Sequence, residues 1–326
     1  MTQACSIYGL GLQTNVPIAG LKGLSAAPRV DVSLVVGAMP SNLDEPAFTS
    51  AHEIYVTDEA TVEGTPIIRL SRLADGSHYR FAYADGTRIV VDANGTQIWA
   101  VGANGATVED TATYLLGPAL GFVLRLRGIT CLHASAIAID GKAIAIVGDA
   151  GMGKSSTAAA FARLGFPIIT DDVAPLRDHG TRFEIDAAYP RIRLWPDSVE
   201  SLFGSADALP RITPTWDKRY LDLNQSQFEF THQALELAAI YVLAPRVSDA
   251  VPRVEELGAR AGLMTLVAES YSRRCLAASQ RALEFDVLAR LVAHVPLRRL
   301  SPCADLGRIT GLCDAIVDDF RRLAPS

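Results

Sequence analysis

The chain has little cysteine, no excess of positive charge and no long hydrophobic run. Its five cysteines are scattered over 326 residues without a CxxC pair, which argues against a disulfide framework or a zinc site and predicts reduced thiols in a cytoplasmic protein. The formal net charge is −6, which argues against a chain built mainly to hold nucleic acid, so no nucleic-acid partner is expected.

No segment of the sequence predicts a membrane span. The most apolar stretch, residues 114–124, is interrupted by Gly117, Pro118 and Gly121 and is too short to cross a bilayer. Residues 1–20 lack a basic region followed by a long apolar core, so we expect no signal peptide and no membrane partner. Hydrophobic residues make up 49% and charged residues 20%, a balance typical of globular proteins.

The first third of the chain has the pattern of a β-rich domain. Asp85-Gly86 and Asn94-Gly95 each separate runs of β-branched and aromatic residues, which is the strongest local signal for a hairpin. We therefore expect a meander-like sheet over residues 1–107. Its predicted strands cover residues 30–36, 79–83, 87–91 and 96–101.

A helical segment follows, and the pattern then changes to alternating strands and helices. Residues 108–128 begin with acidic residues and contain Pro118, which predicts a connector helix with a break or kink. Residues 129–326 are predicted to form an α/β domain, because strands 132–139 and 142–147, a glycine loop, helix 154–164 and strand 167–170 follow one another.

Apolar spacing predicts the remaining elements of this second domain. Residues 238–243 have the composition of a buried strand. A four-residue spacing predicts the core faces of two C-terminal helices. These faces contain Leu283, Val287 and Leu291 in the first helix and Leu312, Ile316 and Phe320 in the second.

The glycine loop matches the pattern G-x-x-x-x-G-K-[ST] at every position. Glycines let successive backbone N–H groups point at phosphate oxygens, and the next helix directs its positive end to the same place. Lys154, which we expect on an exposed loop, would contact the β- and γ-phosphates, and the Ser155 hydroxyl would be a Mg²⁺ ligand. The predicted nucleotide-binding residues are Gly148, Asp149, Ala150, Gly151, Met152, Gly153, Lys154, Ser155 and Ser156.

Geometry places a histidine and two aspartates near this loop. If Asp140-Gly141 is a two-residue turn, the register puts His133 opposite the first glycine of the loop, where it could face phosphate or have a structural role in the strand. A right-handed crossover makes strand 167–170 parallel to strand 142–147, so Asp171 and Asp172 would lie at the same sheet edge. There they could hold Mg²⁺ and accept a proton from a hydroxyl nucleophile, with an N-cap or turn role as the alternative, and the residues alone leave their division of roles open.

The run from His133 through the glycine loop to Asp171-Asp172 resembles the catalytic domain of the HPr kinase/phosphorylase family. The resemblance implies a P-loop kinase core related to phosphoenolpyruvate carboxykinase. It also implies Asp171 as the base, Asp172 as its neighbour at the metal, and His133 near the transferred phosphate. The family has glutamate where this chain has Ser156, and its phosphorolysis signature has no counterpart here. We therefore expect an acceptor other than HPr and no reverse reaction.

Two outer segments, residues 8–21 and 189–196, look like HPr-kinase-like proteins encoded with ribosomal peptide pathways. Some of these, in lasso-peptide systems, phosphorylate a serine near the end of a precursor peptide. The sequence thus predicts an ATP- and Mg²⁺-dependent phosphotransferase that acts on a serine hydroxyl of a peptide or small protein. A nucleotide-binding regulatory or assembly protein without phosphotransfer, or a small-molecule kinase, remains the alternative.

Four cationic side chains are candidates for holding the substrate. Arg191, Arg193, Lys218 and Arg219 would bind a peptide carboxylate or the γ-phosphate, although solvated surface charge explains them as well. Trp195 is predicted to be a core residue rather than a stacking platform. The sequence leaves a homo-oligomer open and does not identify the acceptor.

Overall fold

The structure is a computed structural model. It describes residues 4–41, 43, 48, 50–213, 216–246, 251–303 and 308–323. The chain divides into two compact units, of which the first comprises Met1–Ile129 and Ser272–Ala277. The second comprises Thr130–Tyr271 and Ala278–Ser326. The predicted connector at 108–128 is thus counted within the first unit, together with a short excursion of the chain at Ser272–Ala277.

The first unit is built on one eight-stranded sheet. Its strand order is β1-β2-β3-β8-β7-β6-β5-β4, in which β4 to β8 form an antiparallel meander and β2, β3 and β8 run parallel. The hairpin turns at Gly86 and Gly95 have positive φ, as the sequence predicts. The strands are β1 (Ala4–Ile7), β2 (Leu10–Thr14), β3 (Val32–Val36), β4 (His52–Val56), β5 (Ile68–Arg72), β6 (His78–Tyr83), β7 (Arg88–Asp92) and β8 (Gln97–Val101).

Helical residues complete the first unit. Helix α1 (Val108–Tyr114) begins at a capping box formed by Thr107 and Asp110. It runs into a π-helical turn (Leu115–Ala119) that contains Pro118, and then into α2 (Leu120–Leu126). The predicted interruption at Pro118 is therefore confirmed, because proline lacks the N–H that a regular helix needs. Short 3₁₀ turns lie at Ala19–Leu21 and Arg273–Cys275.

The second unit is an α/β unit with a mixed sheet of order β10-β9-β12-β13-β16-β18-β17, to which β10 adds a pairing with β16 and β11 a pairing with β9. A separate pair, β14 and β15, flanks it. The strands are β9 (Cys131–Ile139), β10 (Lys142–Val147), β11 (Ile168–Thr170), β12 (Val173–Asp178), β13 (Phe183–Ile185), β14 (Arg191–Leu194), β15 (Arg219–Asp222), β16 (Leu235–Leu243), β17 (Arg253–Glu256) and β18 (Leu297–Ser301). The helices are α3 (Lys154–Arg163), α4 (Pro196–Phe203), α5 (Ala259–Ala268), α6 (Ala278–His294) and α7 (Ile309–Leu323).

Helices cover both faces of this sheet. On β10, Ile144 and Ile146 pack with α3, α4 and α7, whereas Ala143, Ala145 and Val147 pack with α5 and α6. Because β10 is buried on both sides, its sequence is continuously apolar rather than alternating. Among the described residues, no helix is both long and apolar enough to cross a membrane.

One predicted core position of α6 is wrong. Leu283 is 68% exposed, while the buried face of the helix contains Glu284, Leu288 and Leu291. The apolar spacing does not predict the buried face of α6, because a carboxylate, Glu284, occupies one of its positions. Glu284 is buried there as the acceptor of a 2.7 Å hydrogen bond from the Ser270 hydroxyl.

The register of the β9–β10 hairpin is confirmed. Lys142 pairs with Ile139 and Val147 with Ala134, as a two-residue turn at Asp140-Gly141 requires. Strand β11 is antiparallel to β9 and therefore parallel to β10, also as predicted.

Strand β11 does not end at the sheet edge. The chain continues along β9 as β12, in which Val173 pairs with His133, and the two aspartates occupy the break between β11 and β12. Asp172 has a φ of 84°, so the backbone interruption falls at this residue.

Candidate active site

The glycine loop turns sharply between β10 and α3. The φ angles of Gly148, Gly151 and Gly153 are 148°, 81° and 108°. Glycine adopts such angles with little strain, whereas a residue with a Cβ does not. A Cβ at Gly148 would lie 3.1 Å from that of Leu243, so close backbone packing also requires glycine there. The loop residues Asp149, Ala150 and Gly151 are exposed, and helix α3 begins at Lys154.

Lys154 lies inside the curl of the loop rather than on an exposed surface. The residue is only 6% exposed, which corrects the expectation from the sequence. Its ammonium donates to the carbonyl oxygen of Gly148 and, at 3.2 Å, to that of Asp149. Burial lowers the pKa of Lys154, and the negative charges of Glu269, Asp172 and Asp171 oppose this effect. A cation held this way is placed to meet anionic phosphate oxygens.

Asp171 is the most buried acid near the loop, with 5% of its surface exposed. Its Oδ1 accepts a 2.7 Å hydrogen bond from the Ser135 hydroxyl, and its Oδ2 accepts one of 3.2 Å from the backbone N–H of Arg193. The Ser155 side chain also favours the ionised form of Asp171 and so lowers its pKa against the effect of burial. Through its two hydrogen bonds the aspartate connects β9 to β14.

Asp172 forms an ionic group with two cationic side chains. His133 Nδ1 lies 3.1 Å from Asp172 Oδ1, and Arg193 Nη2 donates to Asp172 Oδ2 at 3.0 Å. His133 Nδ1 is also 3.1 Å from the Asp172 carbonyl oxygen. Since both partners are acceptors, we assign the proton to Nδ1, and Nε2 is then the ring nitrogen whose protonation changes with pH.

The pKa values of the two adjacent aspartates are shifted in opposite directions. Burial raises the pKa of Asp171, and the charge of Asp172 adds to that effect against the hydrogen bonds from Ser135 and Ser155. Burial also opposes ionisation of Asp172, but the hydrogen bond from His133 and the charge of Arg193 outweigh it, so the pKa of Asp172 lies well below its usual range. The pKa of His133 is raised, because its hydrogen bond and attraction to Asp172 exceed the effect of burial. Asp172 is thus held as an anion, whereas Asp171 is the better proton acceptor.

Two residues that the sequence analysis missed belong to this cluster. Ser135, on β9, is fully buried and donates to Asp171. The backbone carbonyl oxygen of Glu269, at the C-terminal end of α5, accepts a hydrogen bond from the backbone N–H of His133 at 2.8 Å. Burial raises the pKa of Glu269, and Lys154 and His133 oppose this effect. Of these two, only Ser135 could have been found from the sequence, because the hairpin register places it two residues from His133 on the same strand.

The four predicted substrate cations separate into two groups. Arg193 and Lys218 lie in the electrostatic neighbourhood of the aspartate pair, and burial together with the charge of Arg193 lowers the pKa of Lys218. Arg191 lies over the Tyr220 ring, with its guanidinium 4.2 Å from the ring centroid. Arg219 is opposite Leu194 in the β14–β15 pair, hence on the other face from Arg193. Its guanidinium pairs with Asp207 and Asp217, so the structure does not bring it to the cluster.

Aromatic side chains flank Lys218. Trp195 precedes α4 and is 51% exposed, so its predicted core position is wrong. The Lys218 ammonium lies 4.7 Å from the ring centroid of Trp195 and 5.6 Å from that of Trp216, which is 38% exposed. Both distances are within the range of cation–π attraction. By contrast, the Ser156 hydroxyl is 2.8 Å from that of Ser198, in α4, and this contact gives Ser156 a packing role.

The side-chain oxygen atoms near the loop suit a magnesium ion whose remaining ligands are phosphate oxygens and water. Among the described residues, no group of three or more His, Cys, Asp and Glu side chains forms a self-sufficient metal site. Ser155 and Asp171 supply neighbouring oxygen atoms, and Asp172 follows directly in the chain. Mg²⁺ characteristically takes one or two protein carboxylates and completes its shell with phosphate oxygens and water.

Comparisons with known proteins leave the family open. No protein-family model matches the chain, and no curated protein matches it. Among solved structures, the chain is similar to the HPr(Ser) kinase/phosphatase from Coxiella burnetii, at 16% identity and a TM-score of 0.29. That similarity covers 59% of this chain and 96% of the other. At this identity and TM-score the similarity carries no argument about chemistry, which therefore rests on the side chains described above.

Proposed function

We propose that this chain is an ATP- and Mg²⁺-dependent kinase that phosphorylates a serine hydroxyl of a peptide. The observation that supports it most is the pairing of β9 with two strands: Ala134 pairs with Val147, directly before the glycine loop, and His133 pairs with Val173, directly after the aspartate pair. Strand β9 thus brings the glycine loop and the aspartate pair together, so a phosphate-binding element and a proton acceptor share one site. A binding protein without chemistry would need the loop but not the neighbouring ionic group.

The donor side of the site consists of the loop and Lys154. The backbone of residues 148–153 and the N-terminus of α3 would hold phosphate oxygens, and the Lys154 ammonium would exchange its bonds to loop carbonyls for bonds to the β- and γ-phosphates. When bound, Mg²⁺·ATP would supply the phosphoryl group and the metal charge, and Ser155 and an aspartate would be the protein ligands of the metal. Arg193, held by Asp172, adds a planar cation suited to phosphate.

The acceptor side requires a base, and Asp171 fits that role better than Asp172. The serine oxygen forms the new bond to the γ-phosphorus, the bond to the leaving ADP breaks, and Asp171 accepts the serine proton. Protonated Asp171 would remain satisfied, because the Ser135 hydroxyl that donates to it can instead accept a hydrogen bond. His133, held by Asp172, would stabilise charge on the transferred group when it is protonated.

A peptide acceptor is favoured by the exposed surface beside the cluster. Lys218 with Trp195 and Trp216 offers a cation between two accessible rings, a combination suited to an extended chain with apolar and acidic groups. The edge strand β4 of the first unit is a further candidate for peptide binding by strand addition. We propose a flexible substrate such as a lasso-type precursor peptide.

The test is to incubate the protein with ATP, Mg²⁺ and candidate acceptors and to follow mass gain by mass spectrometry. One phosphate added to a serine of a precursor peptide, and not to the same peptide with that serine replaced by alanine, would support the proposal. The Asp171→Asn variant is the matched control for the catalytic step. Transfer only to HPr, or only to a sugar or nucleoside, would contradict the peptide assignment.

A further inference from the structure

A cavity lies against the outer flank of the glycine loop. It is partly open to solvent and is bounded by Met152 of the loop and Thr157 of α3. Its opposite walls come from the end of β16, from the residues that follow β18 and from the start of α7, including Leu243, Cys303 and Leu312. The cavity is therefore continuous with the loop proposed to hold the phosphates.

The strand directions explain why a cavity forms at this position. Strand β10 is parallel to β16, and β16 is parallel to β18, so the carboxyl ends of all three lie at the same edge. Open α/β sheets bind ligands in the crevice outside these carboxyl ends. The glycine loop follows β10 at this edge, and the cavity is lined there by the end of β16 and by residues that follow β16 and β18.

The chemistry of the lining suits a nucleoside next to a phosphate chain. Met152, Leu243, Cys303 and Leu312 provide apolar contacts for a planar base. Arg246 and Arg308 add two cations to the same lining. A Cβ at Gly153 would lie 3.1 Å from the Arg246 guanidinium, so this arginine lies directly over the loop. Such a guanidinium can stack on a base or contact the phosphate nearest the ribose.

We propose that this cavity receives the base and ribose of the donor nucleotide. The inference rests on the proposed nucleotide binding and goes beyond it, because it assigns the nucleoside to the cavity residues and the phosphates to the glycine loop. Inorganic tripolyphosphate, which carries the phosphate chain without a nucleoside, would occupy the loop and leave the cavity open.

The test compares ATP with tripolyphosphate by calorimetry at a fixed Mg²⁺ concentration. Cys303→Phe places a large side chain in the cavity and is expected to weaken ATP binding by about tenfold or more, with tripolyphosphate affected less than about threefold. The matched control is Met264→Phe, at a 62% exposed position of α5 on the opposite face of the sheet, where both affinities should stay unchanged. Unchanged ATP affinity in Cys303→Phe, or an equal loss for both ligands, would overturn the proposal.

Wild-type protein gives a second readout that does not depend on a variant folding. Cys303 lines the cavity and is largely buried, so its alkylation in the wild-type protein should be slow, and its rate can be followed by peptide mass mapping. ATP should slow this alkylation, and tripolyphosphate at equal saturation should not. Equal protection by both, or none by saturating ATP, would exclude the cavity as the nucleoside site. Failure of both ligands to bind the wild-type protein would instead contradict the proposed function itself.

Discussion

Replacing Asp171 by asparagine separates the chemistry of the site from its stability. The Arg193 N–H can only donate, so the asparagine oxygen must take that position and the amide NH₂ must face Ser135. A serine hydroxyl can accept as well as donate, so the hydrogen bonds of this buried site are preserved. The substitution also removes a carboxylate whose charged form is disfavoured by burial.

The sign of the stability effect follows from the pKa shift. The folded-state pKa of Asp171 is raised, so the charged carboxylate destabilises the folded state at pH values above its unfolded pKa, including neutral pH. Asp171→Asn should therefore melt at or above the wild-type temperature at pH 7. Asp171→Ala should melt lower, because each buried donor left unsatisfied costs about 1–3 kcal/mol.

The activity of Asp171→Asn should change in the opposite direction. Loss of a general base lowers a rate by a factor of about 10² to 10⁴, equivalent to about 3–5 kcal/mol in the barrier. Calorimetry should find ATP affinity within about tenfold of wild type, because phosphate contacts are made by the loop. Unchanged phosphotransfer would refute Asp171 as the base, and a large drop in melting temperature would show that its role is structural.

Three further predictions concern the ionic pairs. Asp172→Asn should lower the pKa of His133, measured by NMR titration of the ring, because its main charge partner is lost; an unchanged titration would contradict the ion pair. The His133–Asp172 ion pair should stabilise the fold fully below about pH 6.5 and lose this contribution as pH rises through the raised pKa of His133. The contribution should also fade in acid below about pH 4, where Asp172 becomes protonated. The free energies of unfolding of the wild-type protein and His133→Gln, measured by denaturant melts, should therefore differ most near about pH 5. Arg219→Gln should leave phosphotransfer within about twofold, because the guanidinium pairs with Asp207 and Asp217 away from the aspartate pair; a loss of transfer would return Arg219 to the substrate site.

Local patterns in the sequence were sufficient to predict the parts of the site that lie close together in the chain. The turn at Asp140-Gly141 fixes the register of β9 on β10, and the loop glycines have the backbone angles that their pattern requires. These features depend on residues within one hairpin or one loop. Short-range rules therefore suffice for them.

Features that depend on distant segments could not be predicted in this way. Glu269 approaches Lys154 and His133 only because α5 packs beneath the sheet, and no spacing in the sequence encodes that contact. Continuation of β11 into β12 was missed because Asp171-Asp172 has the composition of a strand end. Trp195 was placed in the core on composition alone, yet its position before α4 leaves it exposed.

The central claim, that the loop at residues 148–155 binds the phosphates of ATP, is tested most directly by calorimetric titration of ATP with and without Mg²⁺. The account predicts saturable one-to-one binding that is strengthened by Mg²⁺ and weakened by about a hundredfold in Lys154→Met, which keeps the side-chain length without the charge. The variant should remain folded, because burial already disfavours the charged form of Lys154. Absence of ATP binding to the wild-type protein, or equal binding by a folded Lys154→Met variant, would contradict the claim.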